Sequence, residues 1–464
     1  MSTSTEGAQG FSLDVERRTV PGAIRDWFDR LRGGDPGALP SILGIIVLGI
    51  IFSQVSSRFL TSYNIGNLPG QGAYIAVIGL GLVFVLLLGE IDLSAGTTGG
   101  MAAGFAARAI FSGDLHKALD GGVYWGLLVF MVLALALAIW LKAWSGAVVI
   151  VIGLVVILVN LDQHVFWAIV AAVGIGAAVG TFTGFMVAKV RIPSFVVTLA
   201  LFLAWQGVLL FALNSQSIGV TDFDLWNGLT QKNLSPMWSW IFTIVVLAGY
   251  IGYTVVKSIT AQRAGLAADT MQLVLGRGAV LAVVGVILTV LANHNRSANT
   301  NVVIQGIPWA AVIVIALMIA CTVALSKTQW GRHLYATGGN AEAARRAGID
   351  VTHIRMTAFI LCSSFGAFGG VLLASQSYSV SLDLGAGNIL LFSVAAAVIG
   401  GTSLFGGRGK PRDAVLGALV IVIIPNGLGL KANLGPQYQQ VITGVVLLVA
   451  AAVDAISRRR TAKG

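Results

Sequence analysis

Fourteen apolar stretches, each 17 to 25 residues long, follow one another along this chain, near residues 41–57, 71–88, 93–111, 122–141, 144–160, 164–188, 195–213, 237–256, 272–292, 308–325, 357–377, 388–405, 411–428 and 437–456. About 20 apolar residues in a helix cross the hydrocarbon core of a bilayer. Inside that core every backbone N–H and C=O must find a partner within the protein, so only helices or a closed barrel can span it. The segments lack the two-residue alternation of barrel strands. The fold expected is therefore all-α, a polytopic transmembrane bundle of about 14 spans.

Charge supports the count. Only 10% of the residues are charged, against roughly 25% in soluble domains. With both termini placed in the cytoplasm, 23 of the 29 Lys and Arg residues fall on inner segments and 6 on outer ones, as the positive-inside rule requires. One span missed or invented would invert every later loop and destroy the asymmetry; a hairpin misread as two spans would not, and 122–141 with 144–160 is the weakest pair. The net charge of +10 is thus accounted for by loops beside anionic lipid, and no nucleic-acid partner is expected. The 58 glycines suit helices packed backbone to backbone. Cys321 and Cys362 lie in apolar runs and read as small buried hydrophobes.

Three regions follow. Residues 1–38 form a cytoplasmic tail without an apolar run of signal-peptide length; Ile24, Trp27, Phe28 and Leu31, between Pro21 and Gly33, have the spacing of a short helix lying on the membrane surface. Residues 39–456 form the membrane domain, with one long polar loop at 326–356. Residues 457–464 form a basic cytoplasmic tail.

Polar residues inside the apolar regions are the candidates for chemistry. Gly89-Glu-Ile-Asp-Leu-Ser-Ala-Gly96 interrupts the second and third stretches. Glu90, Asp92 and Ser94 are read as part of a polar path for a hydroxyl-rich solute; alternatively Asp92 or Ser94 caps the helix that begins near Leu93 and Glu90 reaches the cytoplasmic interface. Ile399 to Lys410 is a second break, rich in glycine and containing Thr402. It fails the phosphate-loop pattern, with Leu404 at the first Gly position and Pro411 at the Ser/Thr position. Two such glycine-broken segments point to a transport site between them. Gln206, Asn214, Gln376, Asn388 and Asn426 carry amides suited to a neutral sugar, although each alone also serves as glue between helices. The five histidines show no ligand spacing, no nucleophile–base set is present, and no cofactor is expected.

Between Trp330 and Met356 the chain is densely polar. Asn340 is a good N-cap, Ala341 to Ala347 favour helix, and Gly348 is a natural stop. Glu342 and Arg346 are spaced to pair. A short, charged, capped helix between two spans is suited to docking in a groove of a soluble partner; the bland alternative is an ordinary basic loop.

These residues carry a resemblance. Glu90 to Gly96, Ile192-Pro-Ser-Phe-Val-Val-Thr-Leu199, Gly331 to Arg355, and Ile399-Gly-Gly-Thr-Ser-Leu404 with Gly406-Gly407 resemble the membrane permeases of ATP-binding-cassette importers for monosaccharides, the xylose type most of all. The likeness runs, with gaps, from about Asn64 to Asp454. It implies a ten-helix core with extra spans and a coupling helix at Asn340 to Ala347, whose Gly339, Asn340, Glu342, Ala343, Arg345, Arg346 and Gly348 meet a cytoplasmic ATPase subunit. It also implies an extracytoplasmic sugar-binding protein, a homodimer, a bacterial plasma-membrane location, and no catalysis by this chain. The additional apolar stretch around 116–160 departs from shorter members. A transporter coupled to protons or sodium through Glu90 or Asp92 is the competing reading.

Overall fold

The computed structural model describes residues 37–431 except 267–268 and 298–300, and beyond them Gly22, Arg25, Gly435, Gln437, Tyr438, residues 440–445 and Leu448. The tail helix expected at residues 24–31, most of the span expected at 437–456, and residues 457–464 lie outside the described residues.

The bundle is helical, as the apolar stretches require. In chain order the helices are α1 (Leu39–Val55), α2 (Ser62–Leu87), α3 (Ala95–Ser112), α4 (Gly121–Trp140), α5 (Trp144–Leu158), α6 (Val165–Ala188), α7 (Ser194–Leu213), α8 (Asp224–Gln231), α9 (Pro236–Arg263), α10 (Met271–Asn293), α11 (Trp309–Lys327), α12 (Gln329–Gly339), α13 (Ala341–Arg346), α14 (Val351–Gln376), α15 (Ile389–Gly400) and α16 (Pro411–Gly429). Among the described residues nine helices are long and apolar enough to cross a membrane: α2, α4, α6, α7, α9, α10, α11, α14 and α16. The chain is a multi-pass membrane protein. The only strands among the described residues, β1 (Ile218–Gly219) and β2 (Ser379–Val380), form a two-residue antiparallel ribbon.

The questionable pair is two separate helices, α4 and α5, joined across Leu141-Lys142-Ala143, with Lys142 left-handed at φ 56°. With 15 residues, α5 covers about 22 Å, short of the roughly 30 Å core. The stretch expected at 388–405 needs a larger correction: its helix, α15, has only 12 residues, about 18 Å, because the chain leaves helical geometry at Gly401 (φ 119°) and stays irregular to Lys410.

At the centre stand α2 and α14, most of whose residues are buried. α3 is lined by Gly96, Gly99, Gly100 and Gly104 and is buried for most of its length. Such a helix is too weakly apolar to face lipid alone, and here neighbouring helices shield it. Close approach is made by small residues. On α6, Gly176, Gly180 and Gly184 recur every four residues, and a Cβ at each would meet Ser363 O at 2.6 Å, Phe359 O at 2.5 Å and Met356 Cα at 3.0 Å, all on α14. This is the small-residue seam that brings membrane helices into backbone contact. At the periphery α9 and α10 form a hairpin, tied by Thr243 and Thr289 hydroxyls 2.6 Å apart and by the Arg277–Asp269 pair at 2.8 Å.

Candidate functional site

The polar loop at 326–356 is two helices, where one was expected. Thr328 starts α12 by accepting a hydrogen bond from Gly331 N (3.1 Å). Its anchors are specific. Trp330 Nε1 donates to Thr357 Oγ1 (2.8 Å) and its ring stacks at a tilt on Phe84, 5.7 Å between centroids. The Tyr335 hydroxyl donates to Gly409 O (2.7 Å); burial, with the Asp413 carboxylate nearby, pushes this phenol up to about 12, so it remains a donor. Gly338 lies directly against the Leu87 carbonyl, which also accepts from Gly407 N (2.8 Å). The end of α2, the glycine-rich loop and α12 are thereby fastened together.

Beyond this anchored base α13 projects. The Asn340 side chain accepts from Ala343 N (2.9 Å), Glu342 pairs with Arg345 at 2.8 Å and Arg346 at 3.4 Å, and Gly348 ends the turn at φ 83°. The expected helix is therefore present to within a residue. Ala344 is buried, while Gly339, Asn340, Glu342, Ala343, Arg345, Arg346 and Gly348 are exposed. Exposed pairs of this kind contribute at most about 0.5 kcal/mol each. They shape a surface more than they stabilise it. Asp350 then caps α14 by accepting from His353 N (3.0 Å), so α13 is joined to the central helix by only four residues.

Behind α13 is a polar cavity of about 360 Å³ lined by Glu90, Arg191, Ser194, Arg345, Thr352 and Arg355 among others. Glu90 Oε1 lies 3.5 Å from Arg355 Nε. Glu90 thus faces the cavity beside α13 and not the bundle interior. Neither Arg191 nor Arg355 stood out in the sequence, because each reads as one more basic loop residue.

Asp92 is fully buried. Its Oδ1 accepts from Ser94 N (2.9 Å) and Ser94 Oγ (2.7 Å), and Oδ2 accepts from Ser363 Oγ (3.4 Å) on α14. This corrects the capping expectation: α3 begins at Ala95, its N-cap Ser94 makes no side-chain capping bond, and the carboxylate instead closes the turn before the helix. The break sits at the level of the middle of α14, since Ala95 O packs on Gly366. At that level two irregular segments meet. A Cβ on Gly96 would lie 2.5 Å from Gly385 O, and Gly100 touches the Leu384 carbonyl. The starts of α3 and of the short α15 therefore lie beside each other, with Thr98 Oγ1 buried there and without a hydrogen-bond partner among the described residues. The glycine-rich loop meets the other end of the same break, where Gly89 packs on Phe405 O.

The remaining polar candidates are dispersed. Gln206 Nε2 donates to Phe202 O of its own helix (3.2 Å). Asn214 ends α7 in left-handed geometry, exposed. Gln376 closes α14 beside Gly70. Asn388 lines a crevice of about 170 Å³ with Gln440 and Thr443. Thr402 is buried with Oγ1 unpartnered. Asn426 bonds Asn64 (2.8 and 2.9 Å) and Gln71 (3.1 Å), a network that joins α16 to α2. Asn64 was passed over because it precedes the hydrophobic part of its helix.

The family model described as branched-chain amino acid transport system / permease component matches residues 143–451. The xylose transport system permease protein XylH of Escherichia coli K12 is 28% identical over 422 residues, covering 90% of this chain and 92% of that protein. XylH of Haemophilus influenzae is 28% identical over 426 residues, covering 90% and 96%. The ribose import permease protein RbsC of Escherichia coli K12 is 25% identical over 414 residues, covering 89% and 92%. No solved structure matches. The resemblance to monosaccharide permeases read from the motifs is borne out by these relatives, which are transport components and not enzymes. With the family model spanning most of its length, the chain belongs to the branched-chain amino acid transport system / permease component family.

Proposed function

We propose that this chain is the membrane subunit of an ATP-driven importer that carries a monosaccharide, xylose or a similar pentose, into the cytoplasm. The observation that carries the reading is α13: a capped, exposed, charged helix held four residues from the central α14 and bolted at its base to α2 and the glycine-rich loop. An ATPase subunit gripping α13 would move α14 with it, and a sugar-binding protein would deliver solute at the opposite face. Both termini lie in the cytoplasm in this reading, and two copies form the transporter. In this reading the solute passes beside the junction of Ser94, Gly96 and Gly385, where α3 and the short α15 begin. Relatives named for xylose and ribose transport support the sugar.

The test is Arg345→Glu together with Arg346→Glu. Uptake of labelled xylose is expected to fall to background while membrane insertion stays normal; normal uptake and normal ATPase stimulation would overturn the reading. The ion-coupled alternative would have to titrate Glu90, which lies 3.5 Å from Arg355, or the buried Asp92, which accepts from Ser94 and Ser363. Uptake is expected to survive collapse of proton and sodium gradients and to fail on ATP depletion.

A further inference from the structure

At the end of the bundle opposite α13, the start of α2, the α9–α10 hairpin and α11 border an apolar cavity of about 330 Å³ that is open on one side. Ile65, Pro69, Val246, Leu247, Leu288 and Ile315 are among its walls. One charge enters it. Arg296, in the turn after α10, lines the cavity and is only 7% exposed. Its Nη2 donates to Gly306 O (3.0 Å), and its guanidinium lies so close to Gly66 that a Cβ there would be 2.5 Å from Nη1. No carboxylate pairs with it among the described residues.

A buried guanidinium whose one side-chain hydrogen-bond partner among the described residues is a carbonyl is costly unless an anion meets it. A small hydrated anion would give up its water to apolar walls, and a neutral hydrocarbon would leave the charge unmatched. A molecule with an anionic head and an apolar tail satisfies both parts of the cavity. We propose that this cavity is a binding site for an anionic phospholipid, whose phosphodiester pairs with Arg296 while an acyl chain fills the space between α2, the hairpin and α11. The lipid then supplies contacts between the hairpin and the rest of the bundle. This inference is independent of what the protein transports.

The full chain, purified and stripped of lipid in detergent, would be titrated with mixed micelles of phosphatidylglycerol or phosphatidylcholine, and separately with inorganic phosphate, reading thermal stability and retained lipid. Both lipids carry a phosphodiester, but the choline cation of phosphatidylcholine competes with Arg296 for it, so phosphatidylglycerol is expected to bind several-fold more tightly, and phosphate alone is expected to have no effect. Arg296→Gln should remove the preference between the two lipids, and Ala311→Phe, which fills the apolar part, should weaken both. Equal binding of the two lipids by the unmodified protein, the same stabilisation by phosphate, or a preference that survives Arg296→Gln overturns the proposal. Should Arg296→Gln not fold, Ala311→Phe decides: reduced phosphatidylglycerol retention supports the site and unchanged retention overturns it.

Discussion

Arg355, in the second turn of α14, places its guanidinium nitrogen 3.5 Å from the carboxylate of Glu90, 265 residues earlier in the chain. The pair joins the central helix to the break before α3 just behind α13. Both side chains are partly shielded, so the contact is worth on the order of 1 kcal/mol, too little to hold the fold and enough to bias a movement. Glu90→Arg and Arg355→Glu, each alone, are expected to slow initial sugar uptake several-fold with little change in melting temperature. The double exchange should recover much of the rate. Wild-type rates in both single variants would dismiss the pair as a functional contact.

Two adjacent glycines offer a matched comparison. A methyl group on Gly338 would collide with the Leu87 carbonyl and lie 3.1 Å from Gly407 N, whereas one on Gly339 meets nothing within 4 Å. Gly338→Ala should therefore destabilise the protein by about 1–3 kcal/mol, the usual range for overpacking, and loosen the junction of α2, α12 and the glycine-rich loop. Gly339→Ala should be close to neutral. Thermal unfolding of the two purified variants in one detergent checks this, and equal melting points would show that the junction tolerates displacement.

Asn426 was a candidate for the solute path, yet its amide is engaged with Asn64 and Gln71. Asn426→Ala is expected to cost about 0.6 kcal/mol and at most about 1.7, the average and upper values for hydrogen bonds between membrane helices, and to leave the KM for sugar unchanged. A raised KM at unchanged stability would return Asn426 to the path.

Asp162, in the turn between α5 and α6, is 2% exposed, and among the described residues no other residue hydrogen-bonds either carboxylate oxygen. Burial, with a smaller contribution from Asp114, pushes its carboxyl up to about 6. A carboxyl whose value rises on folding is protonated more readily in the folded state, so it favours folding at low pH, and that contribution is lost as pH climbs from about 4 through 6. The loss is about 2 kcal/mol once partial solvent screening is allowed. Asp162→Asn should leave the melting temperature almost unchanged at pH 4 and raise it at pH 7.5. A parallel pH profile for variant and wild type would refute the assignment.

Hydropathy located the lipid-facing helices because lipid selects apolar side chains, but it reads solvent, not helix. α14 was expected from residue 357 and begins at Val351; Thr352, His353 and Arg355 hid its first turns. α2 was expected from 71 and begins at Ser62, concealing Asn64. α13 was readable because its signals are local: a cap, a helix-forming run and a stop within nine residues. The Glu90–Arg355 pair and the meeting of Gly96 with Gly385 were not, because they are set by how distant helices stack. α15 was overestimated for the same reason, its apolar run continuing past the point where tertiary contacts bend the backbone.

The glycine seam between α6 and α14 has a mechanical consequence. Two helices in backbone contact at 176, 180 and 184 have no side-chain cushion between them in which sliding could be absorbed. They form one stiff strut, about 39 Å along α14, whose foot is next to α13. A tilt applied at the foot would carry α6 along as cargo at least as far as the seam reaches, to Ala367.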